Sequence, residues 1–100
     1  MVLRGIGSTL YLTSERVIVA RDGVERRPRS GIQSFPISEL RHVRLERGSG
    51  PSGRIVFWAG GAQEAASMFY EPRSQELAEG FVTEVRTAIA RGRRGGRGEA

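Results

Sequence analysis

Between Leu10 and Arg21 the chain alternates apolar and mixed positions on either side of a short polar break, Leu-Tyr-Leu-Thr-Ser-Glu-Arg-Val-Ile-Val-Ala-Arg. A period of two reads as β structure, and the break reads as a hairpin turn. If the loop is Ser14-Glu15, or the four residues Thr13 to Arg16, Leu12 faces Val17 and Leu10 faces Val19. Tyr11 then pairs with Ile18 and Thr13 with Arg16 on the other face. A three-residue loop places leucine opposite isoleucine and mixes the faces. Register follows the buried face, so the first pairing is favoured. Ser-Glu lacks the Asn-Gly signature of a two-residue turn, which favours the four-residue loop.

The pattern continues on both sides. Val2 to Ile6 predicts a short first strand, broken by Gly7-Ser8. Asp22-Gly23 signals a turn, and Val24 to Gly31 predicts a mobile basic loop. Ile32 to Ile37 is extended again and contains Pro36, which assigns it to a sheet edge or a strand end. Ser38 to Leu40 predicts a single turn. Arg41 to Arg47 alternates, with Val43 and Leu45 on one face and His42, Arg44 and Glu46 on the other. Gly48 to Gly53 predicts an exposed hairpin loop. Arg54 to Ala59 is apolar on both faces and predicts a covered strand, with Trp58 packed under a helix. Gly60-Gly61 turns the chain into a last strand, Ala65 to Tyr70.

From Ser74 to Arg91 the period changes. Leu77, Phe81, Val85 and Ile89 recur every four residues, flanked by Ala78, Val82 and Ala88, which predicts one amphipathic helix. Ser74 is the expected N-cap, Pro72 the boundary and Gly92 the C-cap. Gly80, unfavourable inside a helix, suggests close approach to a sheet. Residues 1–90 are expected to form one domain and residues 91–100 a disordered Arg/Gly-rich tail. The expected fold is mainly β: six or seven short antiparallel strands with one C-terminal amphipathic helix.

Composition narrows the chemistry. One hundred residues support a single modest core. There is no cysteine, which excludes disulfides, thiolate metal sites and cysteine nucleophiles. No apolar run approaches the ~20 residues that span a bilayer, and no leader-like segment is present, so a cytoplasmic location is expected. All sixteen basic residues are arginine and the net charge is +5. The uniform replacement of lysine fits a GC-rich coding bias. Residues 91–100 hold four arginines and one glutamate, so the tail supplies most of the excess charge.

The hairpin words carry a resemblance. Gly7, then Leu10-Tyr11-Leu12-Thr13, two residues, and Arg16-Val17-Ile18, followed by Ile37-Ser38-x-Leu40 leading into Val43, resemble the GRAM and bacterial PH-like superfamily. In that superfamily the first words run leucine-tyrosine-leucine-threonine, two residues, arginine-leucine-isoleucine. The resemblance covers about Ser8 to Ile89. It implies a partly open β-barrel capped at one end by the C-terminal helix, which would bury the apolar stripe and remove exposed strand edges. It also implies a binding module rather than an enzyme.

Candidate chemical groups are few. His42 is the single histidine and faces away from Val43 and Leu45, with no second metal ligand in view. A Ser-His-Asp triad would need His42 and Asp22, the single aspartate, and no serine sits in a Gly-x-Ser-x-Gly elbow. Neither Gly48 to Gly53 nor Gly92 to Gly98 has the strand-to-helix setting of a phosphate loop. Glu76, Glu79 and Glu84 read as a solvated helix face. Arg26, Arg27 and Arg29, with Arg21 nearby, read either as a solvated charge run or as an anion-binding loop. PH-like domains often bind phosphoinositide headgroups through inter-strand loops, but the spaced basic strand motif of the lipid-binding members is missing here. Arg91, Arg93, Arg94 and Arg97 resemble a short RGG segment without aromatics, either an RNA contact or a solubilising end.

The expected function is therefore a non-enzymatic adaptor module without a small-molecule cofactor. Its partner is expected to be a protein, with homo-oligomerisation included, docked at the Phe35-Pro36 edge or by apolar contact near the helix, with Trp58 as an alternative anchor. The alternative is peripheral binding of anionic lipid, at the inner membrane face, or of nucleic acid, through the Arg26–Arg29 loop and the arginine tail.

Overall fold

The computed structural model describes residues 1–22, 31–47, 52–60 and 64–99, with side chains as far as Gly92. The hairpin forms in the expected register. Strands β2 (Ser8–Leu12) and β3 (Arg16–Arg21) pair Leu10 with Val19, Tyr11 with Ile18 and Leu12 with Val17. Thr13 closes the turn: its N–H donates to the Arg16 carbonyl at 3.0 Å, and its Oγ1 accepts from the amides of Glu15 and Arg16. Leu10, Val17 and Val19 are fully buried, and the opposite face carries Tyr11 and Ile18.

β1 (Val2–Arg4) adds to β2, and β4 (Ile32–Pro36) adds to β3, giving a four-stranded antiparallel sheet in the order β1-β2-β3-β4. A 3-10 turn over Ile37–Glu39 leads into a second antiparallel sheet, β5 (His42–Arg47), β6 (Gly53–Trp58) and β7 (Ala66–Tyr70), in that order. The fold is thus mainly β, with one C-terminal helix, α1 (Gln75–Glu99). An isolated bridge joins the sheets where the Ile6 amide donates to the Phe69 carbonyl at 2.8 Å. Gly5 makes this approach possible, because a Cβ there would lie 2.4 Å from the Phe69 carbonyl oxygen. The core fills the space between the two sheets and the helix, from Leu3 and Leu10 through Val43, Ile55 and Phe57 to Phe81 and Val85.

Several expectations are corrected. Leu77 is 65% exposed. A four-residue repeat precesses by about 40° per step on a helix of 3.6 residues per turn. The buried stripe is therefore Ala78, Phe81, Val82, Val85 and Ile89, and Leu77 falls to its side. Ser74 does not cap the helix. It lies inside a 3-10 turn over Pro72–Ser74 that precedes α1, and Glu71 is the extended residue before that turn, with Pro72 in its first positions. Gly92 does not end the helix either. Among the described residues the positive-φ glycines are Gly7 and Gly60, so Gly92 lacks the left-handed conformation that stops a helix, and the helical backbone runs to Glu99. Gly53 is no loop residue: it is buried in β6 beneath the Tyr70 ring.

Gly80 packs against no sheet. Among the described residues, an added Cβ would meet within 4 Å only the terminal methyl of Met1, at 4.0 Å. Gly80→Ala is therefore expected to raise the unfolding free energy by about 1 kcal/mol, read as an increased urea midpoint at unchanged slope.

Candidate functional site

A sheet that is not closed has two outer edges, and each exposes unpaired backbone groups unless something covers them. Here the two sheets have four outer strands: β1 and β4 in the first, β5 and β7 in the second. The β1 and β7 sides meet at the Ile6–Phe69 bridge. The β5 edge is engaged at Val43. Helix α1 packs beside it, and the Arg86 guanidinium donates through Nε and Nη2 to the Val43 carbonyl at 3.3 and 3.2 Å. β5 also carries charge along its length, with Arg44, Glu46 and Arg47.

The β4 edge differs. Two bonds set its parity: Arg21 N–H to the Gly31 carbonyl and Ile37 N–H to the Glu15 carbonyl, both 2.8 Å. In an antiparallel ladder such pairs recur every second residue. Gly31, Gln33, Phe35 and Ile37 thus turn their backbone groups toward β3. Ile32, Ser34 and Pro36 turn theirs outward, where β4 has no strand partner among the described residues. Proline has no N–H to offer, and Pro36 sits at an outward position, as an edge proline must. Among the described residues, the amides of Ile32 and Ser34 are the outward donors of this edge.

The side chains follow the same alternation. Phe35, expected to form part of a docking edge, packs against the core opposite Val17. Ile32 and Ser34 lie on the outer face, Ile32 46% exposed and Ser34 accepting a hydrogen bond from Arg16 Nε at 2.7 Å. Val2, Tyr11 and Ile18 share that face and give it an apolar character. Gln33 is on the inner face, where its Oε1 is buried without a hydrogen-bond partner. Where β4 ends, a groove of about 710 Å³ opens between the hairpin turn and α1, lined by Glu15, Pro36 and Ile37 on one side and Glu84, Thr87 and Arg91 on the other.

No protein-family model, curated protein or solved structure matches this chain. The chemistry of the site is therefore read from its own geometry.

Trp58 does not pack under the helix. It lies on the outer face of the second sheet, opposite His42, with ring centroids 4.5 Å apart and planes 22° from parallel. Arg44 sits over the indole, its Cζ 5.5 Å from the ring centre, a cation–π contact. Glu46 accepts from Arg54, which also pairs with Glu64. Val56 is buried although it stands outside the main core, because this layer of rings and ion pairs occupies its face of the sheet. Both faces of β6 are covered as expected, one by the core and the other by side chains of its own sheet. His42 is thus engaged by Trp58 rather than by any metal-ligating group. Among the described residues no cluster of three or more histidine, aspartate or glutamate side chains could hold an ion.

Tyr70 carries a buried polar group that strand alternation does not single out. Its hydroxyl donates to Gln75 Oε1 at 2.9 Å. Burial raises its pKa above the ordinary 10.0, and the hydrogen bond to Gln75 pulls the other way. Arg26, Arg27 and Arg29 lie outside the described residues, as do the side chains of Arg93, Arg94 and Arg97. Arg91 is exposed at the rim of the groove. Among the described residues no helix is long and apolar enough to cross a membrane.

Proposed function

We propose that this chain is a non-catalytic, PH-like recognition module that takes up a protein strand along β4. The observation that carries the proposal is the uncharged edge of β4, which has no strand partner among the described residues and turns the amides of Ile32 and Ser34 outward, whereas on β5 Arg86 takes the Val43 carbonyl. Main-chain pairing at such an edge supplies affinity, and the flanking groove and outer face supply selectivity. Four strands, then three, then one helix over the core support the PH-like reading, and the Ile6–Phe69 bridge supports a partly open barrel.

A pair of proline substitutions tests the mode of binding. Ser34→Pro removes an outward donor and the exposed side-chain bond from Arg16 but leaves every main-chain bond to β3 in place, so the variant is expected to fold and to lose its partner. Phe35→Pro removes an inward ladder bond and a ring packed on the core, for a loss of stability of about 3 kcal/mol or more. Circular dichroism reads the folding, and affinity capture from the native host with wild type and Ser34→Pro in parallel reads the binding. A partner retained equally by both proteins would refute strand addition at β4. Edge pairing is also expected to depend weakly on salt, whereas phosphate contacts through the arginine segments would weaken steeply with it.

A further inference from the structure

We infer that the C-terminal half of α1 is a nucleic-acid contact that takes the phosphate backbone along one stripe of the helix. The inference does not depend on the β4 edge and adds a second surface to it.

The charge of α1 is divided along its length. Glu76, Glu79 and Glu84 lie in the first half. From Val85 to Gly98 the helix holds five arginines, Arg86, Arg91, Arg93, Arg94 and Arg97, and no carboxylate. Thr83, Thr87, Ala90, Arg94 and Arg97 follow one another at steps of four, three, four and three residues. Such steps place them on one stripe of the helical backbone, about 21 Å long at 1.5 Å per residue.

The first half of the stripe is a shallow groove of about 560 Å³, lined by Thr83, Arg86, Thr87, Ala90 and Arg91. Two exposed guanidinium groups and two exposed hydroxyls thus surround a small residue, Ala90. Arg86 commits Nε and Nη2 to the Val43 carbonyl. A guanidinium has five donors, so that bond orients the group and leaves Nη1 for an anion. Glu84, the last carboxylate before Glu99, lines the groove on the other flank of the helix.

The chemistry of the stripe selects its occupant. Guanidinium and hydroxyl donors repeated along a helix match the repeated oxygens of a phosphodiester chain. A bilayer surface would require an apolar face beside the basic one. The apolar stripe of α1 is instead buried in the core up to Ile89, and alanine is the only apolar side chain from 90 to 98. A protein interface would require large anchors such as tryptophan or tyrosine, and the stripe has none. With no aromatic ring to stack on bases, the contact is to the backbone and indifferent to sequence.

Fluorescence anisotropy of labelled mixed-sequence duplex DNA with the full chain tests the assignment. Binding is expected at 50 mM salt, with a slope of log affinity against log salt near −4, so that affinity falls roughly two-hundredfold by 200 mM. The triple variant Arg93→Gln/Arg94→Gln/Arg97→Gln is expected to flatten the slope to about −1. Thr83→Glu/Thr87→Glu sets carboxylates in the described half of the stripe, at exposed helical positions. It is expected to weaken binding about tenfold with unchanged circular dichroism, and Ser34→Pro to bind as wild type. No binding at 50 mM salt overturns the inference. Full affinity in Thr83→Glu/Thr87→Glu with loss in the triple variant would mean a charged end rather than a helical stripe, and overturns it. Equal binding by every variant places the contact elsewhere in the chain, with the same consequence. So does a preference for anionic phosphatidylglycerol vesicles over DNA, which would make the surface a lipid contact.

Discussion

Phe81→Ala is expected to lower the unfolding free energy by about 3–5 kcal/mol, the cost typical of removing a buried aromatic ring. Phe81 is fully buried on α1, in the same core as Leu3 and Leu10 of the first sheet and Val43 and Phe57 of the second. The ring therefore lies where two sheets and a helix meet, and the hole left by its removal has walls on separate elements that cannot collapse together. A domain of this size has roughly 5–15 kcal/mol in total, so this single change removes a large share of it. Equilibrium urea unfolding measures the loss. A cost near 1 kcal/mol would mean that the helix packs on the sheets more loosely than the structure shows.

Gly53→Ala is expected to cost about 3 kcal/mol, at the upper end of the range for overpacking. A Cβ on Gly53 would lie 2.1 Å from Tyr70 Cζ and 2.2 Å from its oxygen. Tyr70 is itself buried and tied to Gln75 at the start of α1, so the ring cannot yield without giving up that bond. Surface glycine substitutions within strands usually stabilise, so the sign alone is informative. The effect should depend on the ring: in a Tyr70→Leu background the same alanine is expected to cost much less, a coupling that a double-mutant cycle reads out. Equal costs in both backgrounds would place the strain elsewhere.

Much of the β architecture was legible in the sequence because period-two patterning is local. The register of Leu10, Leu12, Val17 and Val19 followed from one buried face, and Pro36 marked an edge strand because proline lacks a ladder donor. The same proline, with the bonds of Gly31 and Ile37, also indicates which alternate residues of β4 turn outward. The helix was legible as an element but less so in its details. A repeat of four approximates the true period, so Leu77 was assigned to the stripe and is in fact exposed. Gly92 resembled a terminator but lacks the backbone conformation that terminates.

Trp58 illustrates a different limit. A strand apolar on both faces announces that both are covered, but nothing local says by what. His42 and Arg44 are distant in sequence and adjacent only after β5 pairs with β6.

The sequence by itself determined the order of the strands and helix, the hairpin register and the edge position of the Ile32–Pro36 strand, because each depends on neighbours a few residues away. Only the tertiary structure decided which edge stays open. That depends on Arg86 reaching the Val43 carbonyl across 43 positions of chain, and on Ile6 bridging to Phe69 of the other sheet. Both result from how α1 and the two sheets pack together, and no pattern along the chain encodes them.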